Sequence, residues 1–441
     1  MRAYTLRIAN GPTVSWRAIE CWGAGLCLFL QTGALFPLML ADADGGLSDH
    51  ARSILRLLCL PVYGFTLLML ARNFPQFITA LKRNWLVPLM VAMPFVSVFW
   101  SVGPSTTFRR AIGLLFTVLL AYVLALRFTP RQLLLVAFAT FGTCIVLSLL
   151  LLVVSPGLAR MPADSAVRGI FIHKNSLGWY AGMMILVSTA VVMDGNRGLR
   201  RTALILLMAG GACLFLSGSM TATIATVSAF CLIGFYSMLQ RIRGIGRIVF
   251  ILFFVQMFVG ILLLLHEFLV PFLEALGKDA TLTGRVPLWE LVDGQIADHL
   301  LLGFGYQAFW TEANPEAWII WSKIQWMAPH AHNGFRDTLL SFGISGMTLF
   351  ALMLLQALRQ GGALQCGDPR YGWLWLNVFT VVVLVMNLTE TIFLIQNDAI
   401  FILFTTAIIM FSLYKPVVVS TAPGRQFRAP ARSRTAELQI S

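Results

Sequence analysis

"HAHNGFRDTLLSFGISGMTLFALMLLQAL" (residues 330–358) joins two kinds of sequence. It opens on two histidines, one residue apart, and an asparagine. It continues as a long apolar run. A spanning helix needs ~20 mostly apolar residues, and this run supplies them. Similar runs recur along the chain, which is 58% hydrophobic and 12% charged over 441 residues. A soluble domain carries about 25% charged residues. In lipid only helices and closed barrels satisfy their own backbone. The runs are continuous rather than alternating, so helices are expected. The fold class is therefore an all-α polytopic membrane protein. About twelve transmembrane helices are predicted, near 20–40, 52–71, 85–101, 109–127, 132–154, 174–193, 202–217, 220–239, 247–269, 334–358, 372–390 and 397–415.

The connections between these spans alternate in character. One set is basic: Arg2, Arg7 and Arg17, then Arg72, Lys82 and Arg83, Arg127 with Arg131, Arg197, Arg200 and Arg201, Arg241, Arg243 and Arg247, Arg359 with Arg370, and the tail from Lys415. The other set holds most of the acids, including "ADADGGLSDH" (41–50) and the stretch 271–333. Basic loops stay in the cytoplasm. Both termini are thus expected inside, and the 271–333 loop outside. The chain divides into helices over 1–270, a large outer loop with short helices at 271–333, helices over 334–415, and a basic, disordered tail at 416–441. The net charge of +13 then reflects topology and contact with anionic lipid rather than nucleic acid. The N-terminus lacks the pattern of a cleavable signal. The seven cysteines show no CxxC spacing and read as small core residues. No internal repeat supports a transporter made of two similar halves.

On this topology, unusual polar residues from five segments meet at the outer face. His173, Lys174 and Asn175 ("FIHKNSLGWYAG") open one span. Ser217, Ser219 and Thr221 ("LSGSMTAT") sit at an outer turn. Arg285 ("LTGRVPLW") lies in the large loop. His330, His332 and Asn333 precede another span, and Glu390 ("NLTE") ends the next. Arg168, Arg109 and Arg110 add outer-face cations. Ionisable residues at membrane depth are expensive and point to function. Each also has a structural reading. Asn175 and Asn333 can serve as helix N-caps, the serines can satisfy a tight turn, and a lone histidine can simply be solvated. In an extended segment His330 and His332 point to the same side. Helical spacing is visible around Val286–Ile296, and "GFGYQAF" (303–309) reads as a glycine turn. Trp310, Trp318, Trp321 and Trp326 suit a membrane interface. Asp42 and Asp44 could hold a divalent metal or act as a base, or form a solvated turn.

Cations, imidazoles and an acid at an outer membrane face suit an anionic substrate delivered by the membrane. No ATP pool exists there, so a synthetic reaction needs a donor carrying its own leaving group. A glycan on a polyprenyl pyrophosphate does so. Arg285, Lys174 and Arg168 would neutralise the pyrophosphate. A neutral imidazole would take the proton of the attacking sugar hydroxyl. The scheme uses no metal and no cofactor.

"GIFIHKNSLG", "LSGSMTA", "LTGRVPLW", "GFGYQAFW", "HAHNGFRDTLLSFGISG" and "NLTE" resemble, in that order, the O-antigen ligase/polymerase superfamily, and within it the exopolysaccharide-polymerase (ExoQ-type) branch. The likeness covers roughly 165–392. It implies a bacterial inner-membrane enzyme on a glycosyltransferase-C-like scaffold. Such an enzyme moves glycans from undecaprenyl pyrophosphate at the periplasmic face, inverting the anomeric carbon without a metal. It implies Arg285 as a pyrophosphate ligand and His332 or His330 as the base, with His332 favoured beside the helix start. Many relatives carry Arg or Lys after the Ser-x-Ser, where this chain has Met220. The second phosphate cation is thus left among Arg168, Lys174 and Arg110. The expected partners are the lipid-linked donor, a sugar or lipid-linked glycan acceptor, and membrane lipids. Two alternatives stand beside the polymerase: a ligase that delivers glycan to lipid A core, and a transporter of the same lipid-linked glycan.

Overall fold

Prolines and capping residues set the helix boundaries. The computed structural model describes residues 15–42, 46–162, 164–195, 197–275 and 285–415, and the side chains of all these except 261–275. The readings made for Arg2, Arg7, Asp44, the 276–284 part of the large loop and the tail from Pro416 fall outside the described residues. Helix α1 (Trp16–Leu30) starts on Ser15, whose hydroxyl accepts from the Ala18 N–H. Short α2 (Phe36–Leu40) follows. Next come α3 (Asp49–Leu58), α4 (Leu60–Arg72), α5 (Phe74–Arg83), α6 (Leu86–Val96) and α7 (Pro104–Arg127). A full capping box of Thr129 and Gln132, with Pro130 in the first turn, opens α8 (Pro130–Val154). It satisfies two of the orphan N–H groups that every helix start leaves. The bundle continues with α9 (Lys174–Met193), α10 (Arg197–Ser217), α11 (Met220–Leu239) and α12 (Ile245–Ala275). Helices α13 (Arg285–Asp298) and α14 (Pro315–Ile324) lie in the large loop, and α15 (Gly334–Gly367), α16 (Trp373–Met386) and α17 (Ala399–Leu413) close the chain.

The molecule is a polytopic all-α membrane protein. Among the described residues, seven stretches are long and apolar enough to cross a bilayer: Asp49–Arg72, α7, α8, α9, α10, α11 and α15. Leu86–Phe99, Ile245–Gly260, α16 and α17 are shorter apolar helices. The predicted positions differ from these in three instructive places. The run 20–40 is not one helix. It breaks after Leu30, where the Thr32 hydroxyl donates to the Phe29 carbonyl (2.6 Å) and accepts from the Ala34 N–H. A hydroxyl that takes over backbone bonds ends the helix. The basic connection 72–84 contains α5, an amphipathic helix. Finally, α16 stops at Met386, so Glu390 is not helical. The Asn387 side chain accepts from the Ile392 and Phe393 N–H groups and turns the chain there.

Helices α7 and α9 are mostly buried in the bundle, while α3, α4 and α10 mostly face outward. The outward faces are apolar, as with Phe215 and Val153. They suit lipid, where a greasy surface costs nothing. The α13–α14 segment has its own small core. Leu288, Val292 and Ile296 recur at i, i+4 and i+8 on one face of α13, and pack with Phe304, Phe309, Ile320 and Trp321. Trp321 is thus core rather than interface, and Trp310 packs against it, while Trp318 and Trp326 stay exposed. This segment is fastened to α15 by main-chain bonds. Phe304 and Gly305 donate to Leu340 and Ser341, and Ile344 and Ser345 donate to Leu300 and Leu301. They are possible because α15 breaks at Gly343 (φ 60°, ψ −157°). That region is essentially restricted to glycine. A Cβ there would lie 2.4 Å from the Leu300 oxygen. Gly343→Ala is therefore expected to destabilise the protein by roughly 1–3 kcal/mol from backbone strain alone. Thermal unfolding in lipid nanodiscs checks this, and an unchanged midpoint would contradict the strained reading.

Candidate active site

The N-termini of α9, α11, α13 and α15 come together with the turn after α16. The turn is the centre. Its Glu390 is 2% exposed and three groups converge on it. Arg285, first residue of α13, places Nη2 2.6 Å from Glu390 Oε1 and Nη1 2.6 Å from the Thr389 carbonyl oxygen. Asn175, in the first turn of α9, donates from Nδ2 to Oε1 at 3.1 Å. His332 Nδ1 faces Oε2 at 3.4 Å. With Nδ1 turned to the carboxylate, Nε2 is the ring nitrogen left for a substrate.

Local backbone explains how His332 reaches this point. Its φ is 50°, a left-handed conformation uncommon for a residue with a Cβ. Ala331, between the histidines, is clamped on both sides. Its N–H donates to the Asp337 carboxylate (3.1 Å), and its carbonyl accepts from Trp289 Nε1 (2.8 Å). Asp337 is held in turn by Trp310 Nε1 (2.9 Å) and the Thr391 hydroxyl. Asn333 caps α15, accepting from the Phe335 and Arg336 N–H groups, and its Nδ2 donates to the Leu388 carbonyl. The Gly334 N–H donates to the carbonyls of Asn387 and Glu390. A Cβ at Gly334 would fall 2.0 Å from Asn387 Oδ1, so only glycine permits this approach. The His330 and His332 rings lie 4.2 Å apart, and His330 Nδ1 accepts from the His332 N–H. The pair does share one side, as predicted. The cause is a left-handed turn and not an extended strand.

The remaining expected residues divide into two groups. His173 caps α9, its Nδ1 accepting from the Asn175 N–H. Ser219 caps α11, and Thr221 hydrogen-bonds Thr389 at 2.9 Å. These frame the Glu390 cluster. Lys174 instead pairs with Asp164, and Arg168 is tied to the carbonyls of Leu158 and Ile172. Neither bonds Glu390. Asp42 also stands apart, its N–H bonded to the Gly46 carbonyl. Among the described residues no group of three or more His, Cys, Asp or Glu is placed to hold a metal. Asp337, Trp289 and Thr389 were not foreseen. An acid in the first turn of a helix reads as a dipole partner, and nothing local marks it as the anchor of the histidine turn.

Electrostatics sharpen the arrangement. Burial pushes the Glu390 carboxyl up, but the His332 hydrogen bond and the Arg285 charge outweigh it and hold it below the usual carboxylate range. Burial, with His332 beside it, pushes His330 down to about 3, so His330 is neutral. Burial also lowers His173, against the pull of Glu390. A carboxylate held low in the fold contributes stability that is fully present above its unfolded value. That contribution disappears as pH falls through the depressed folded value. Below about pH 4 the wild type should thus lose unfolding temperature more steeply than Glu390→Gln, which takes up no proton there. Equal slopes in a nanodisc melt series would refute the pairing as a stabilising contact.

An anchored imidazole beside a buried carboxylate and a guanidinium can take a proton from a hydroxyl and offset a departing anion. Residues 203–351 match the family described as O-Antigen ligase. This match takes in Arg285, His330, His332 and Asn333, but not His173, Asn175 or Glu390. The chain is also 30% identical over 274 residues to the exopolysaccharide production protein ExoQ of Rhizobium meliloti (strain 1021). That alignment covers 59% of this chain and 61% of ExoQ, so the likeness spans about three fifths of either protein. Over these stretches the chain is similar to the O-antigen ligase family and to ExoQ.

Proposed function

We propose that this protein transfers a glycan from an undecaprenyl-pyrophosphate-linked donor to a sugar hydroxyl at the periplasmic face of the inner membrane, polymerising exopolysaccharide or O-antigen repeat units. The observation that carries this reading is the His332–Glu390–Arg285 arrangement. A carboxylate that fixes one ring nitrogen leaves the other as a base of defined direction. In the step, Nε2 of His332 takes the hydroxyl proton of the acceptor. The acceptor oxygen bonds the anomeric carbon of the donor from the face opposite the pyrophosphate, and the carbon–oxygen bond to pyrophosphate breaks with its electron pair leaving on phosphate. Arg285 has five N–H donors and uses two on Glu390 and Thr389, so its other donors can meet the departing charge. The anomeric centre inverts, and the proton returns to bulk water from the imidazolium. No metal takes part.

Support for the orientation comes from the ends of the helices. Arg127 and Glu20 form an ion pair at 2.7 Å, and Arg131 pairs with Asp194. These lie at the ends of α7, α8 and α9 remote from His173 and His332. Arginines at that end suit the cytoplasmic side, with both termini there. The purified protein in nanodiscs, given a polyprenyl-pyrophosphate oligosaccharide, should form a new glycosidic bond in the presence of EDTA. Movement of the lipid without bond formation would replace this reading with a transporter. Transfer only to lipid A core would make it a ligase.

A further inference from the structure

Beside the histidine pair, away from Glu390, lies a cavity of about 110 Å³. Arg110, Gln307, His330 and Asp337 line it, with Phe309 and Trp310 among its walls. It borders His330 but not His332 or Glu390. Arg110 sits in the first turns of α7, and its Nη1 donates to the Gln307 carbonyl. Among the described residues it forms no ion pair. The one carboxylate in the cavity, Asp337, is already engaged by the Ala331 N–H, Trp310 Nε1 and Thr391. Gln307 itself is held at φ 50°, a strained conformation that turns its carbonyl to the arginine. A partly buried cation that no carboxylate pairs with among the described residues, at membrane depth, is costly unless a ligand supplies the anion.

The walls say what kind of anion. Aromatic faces suit the C–H side of a sugar ring, and the mixed donors and acceptors suit hydroxyls. A pyrophosphate would bring two or more negative charges against the single Arg110, whereas a carboxylate brings one. We propose that this cavity is a carbohydrate subsite that selects a sugar carboxylate, held by Arg110, in the acceptor glycan. The assignment to the acceptor rests on the glycan-transfer reading. A ring seated here lies against His330, whose own ring is 4.2 Å from His332. It would hold the neighbouring sugar within reach of the proposed base. The device thus makes acidic glycans the favoured acceptors.

Binding tests this without turnover. The full-length protein in lipid nanodiscs is titrated with D-glucuronate and with its methyl ester, followed by saturation-transfer NMR. The acid should bind about tenfold tighter than the ester, as expected when a charge-assisted hydrogen bond is lost. Arg110→Gln should abolish the preference, and Arg110→Lys should retain part of it. Equal binding of acid and ester to the wild type overturns the proposal, and needs no variant to fold. So does a preference that persists in Arg110→Gln. Displacement of glucuronate by equimolar inorganic phosphate would also overturn it, assigning the cation to phosphoryl groups. Because no bond is formed in this experiment, its failure leaves the glycan-transfer reading standing. Failure of the transfer assay leaves the subsite standing, with its occupant no longer the acceptor.

Discussion

His332→Ala is expected to lower glycan transfer by about 10²–10⁴-fold, the usual contribution of a positioned general base, while barely changing the unfolding temperature. The two halves of this expectation have separate causes. Rate depends on Nε2, the ring nitrogen not facing Glu390. Stability depends on what the ring leaves behind, and it leaves little. Glu390 keeps Arg285 at 2.6 Å and Asn175 at 3.1 Å, so no buried charge is orphaned. His330→Ala should be milder, since its Nδ1 already accepts from the His332 N–H. Product formation from a radiolabelled lipid-linked donor checks both. Near-normal transfer by His332→Ala would remove it as the base.

Arg285 behaves differently, because it serves both fold and chemistry. Arg285→Ala leaves a carboxylate that is 2% exposed without its countercharge. Breaking one side of such a pair costs about 3–5 kcal/mol, so this variant should be both inactive and less stable. Arg285→Lys should recover stability in part. It should not recover transfer, because an ammonium cannot bridge the Thr389 carbonyl, Glu390 and a phosphate with one planar group. The double change Arg285→Ala with Glu390→Gln separates the roles. It removes the orphan charge, so the melting temperature should rise above that of Arg285→Ala alone while transfer stays absent. A lysine variant with most of the wild-type activity would reduce Arg285 to a diffuse source of positive field.

Much of this was legible before any coordinates. Hydropathy reveals spans because lipid demands them. Alternating basic loops also imply that His173, Asn175, Arg285, His332 and Glu390 share one end of the bundle. The structure does join these five, by hydrogen bond or cap. Elsewhere, distance along the chain hid the partners. Nothing near Lys174 says that Asp164 will neutralise it, or that backbone carbonyls will hold Arg168. Nor does "NLTE" disclose that Asn387 ends α16 and that Glu390 hangs in a turn. The signal there was the asparagine itself, a residue whose side chain competes with helix backbone. The kink at Gly343 was equally hidden, since a glycine in an apolar run also suits close helix packing.

That kink has a consequence for protein engineering. Because α15 opens at Gly343 to receive the Leu300–Gly305 stretch, the α13–α14 unit and α15 form a mortise joint rather than a hinge. A chimera that transplants residues 285–333 from a relative, but keeps the recipient's 340–345, would seat one maker's tenon in another's socket. Acceptor preference should therefore be exchangeable only as a cassette that carries both pieces.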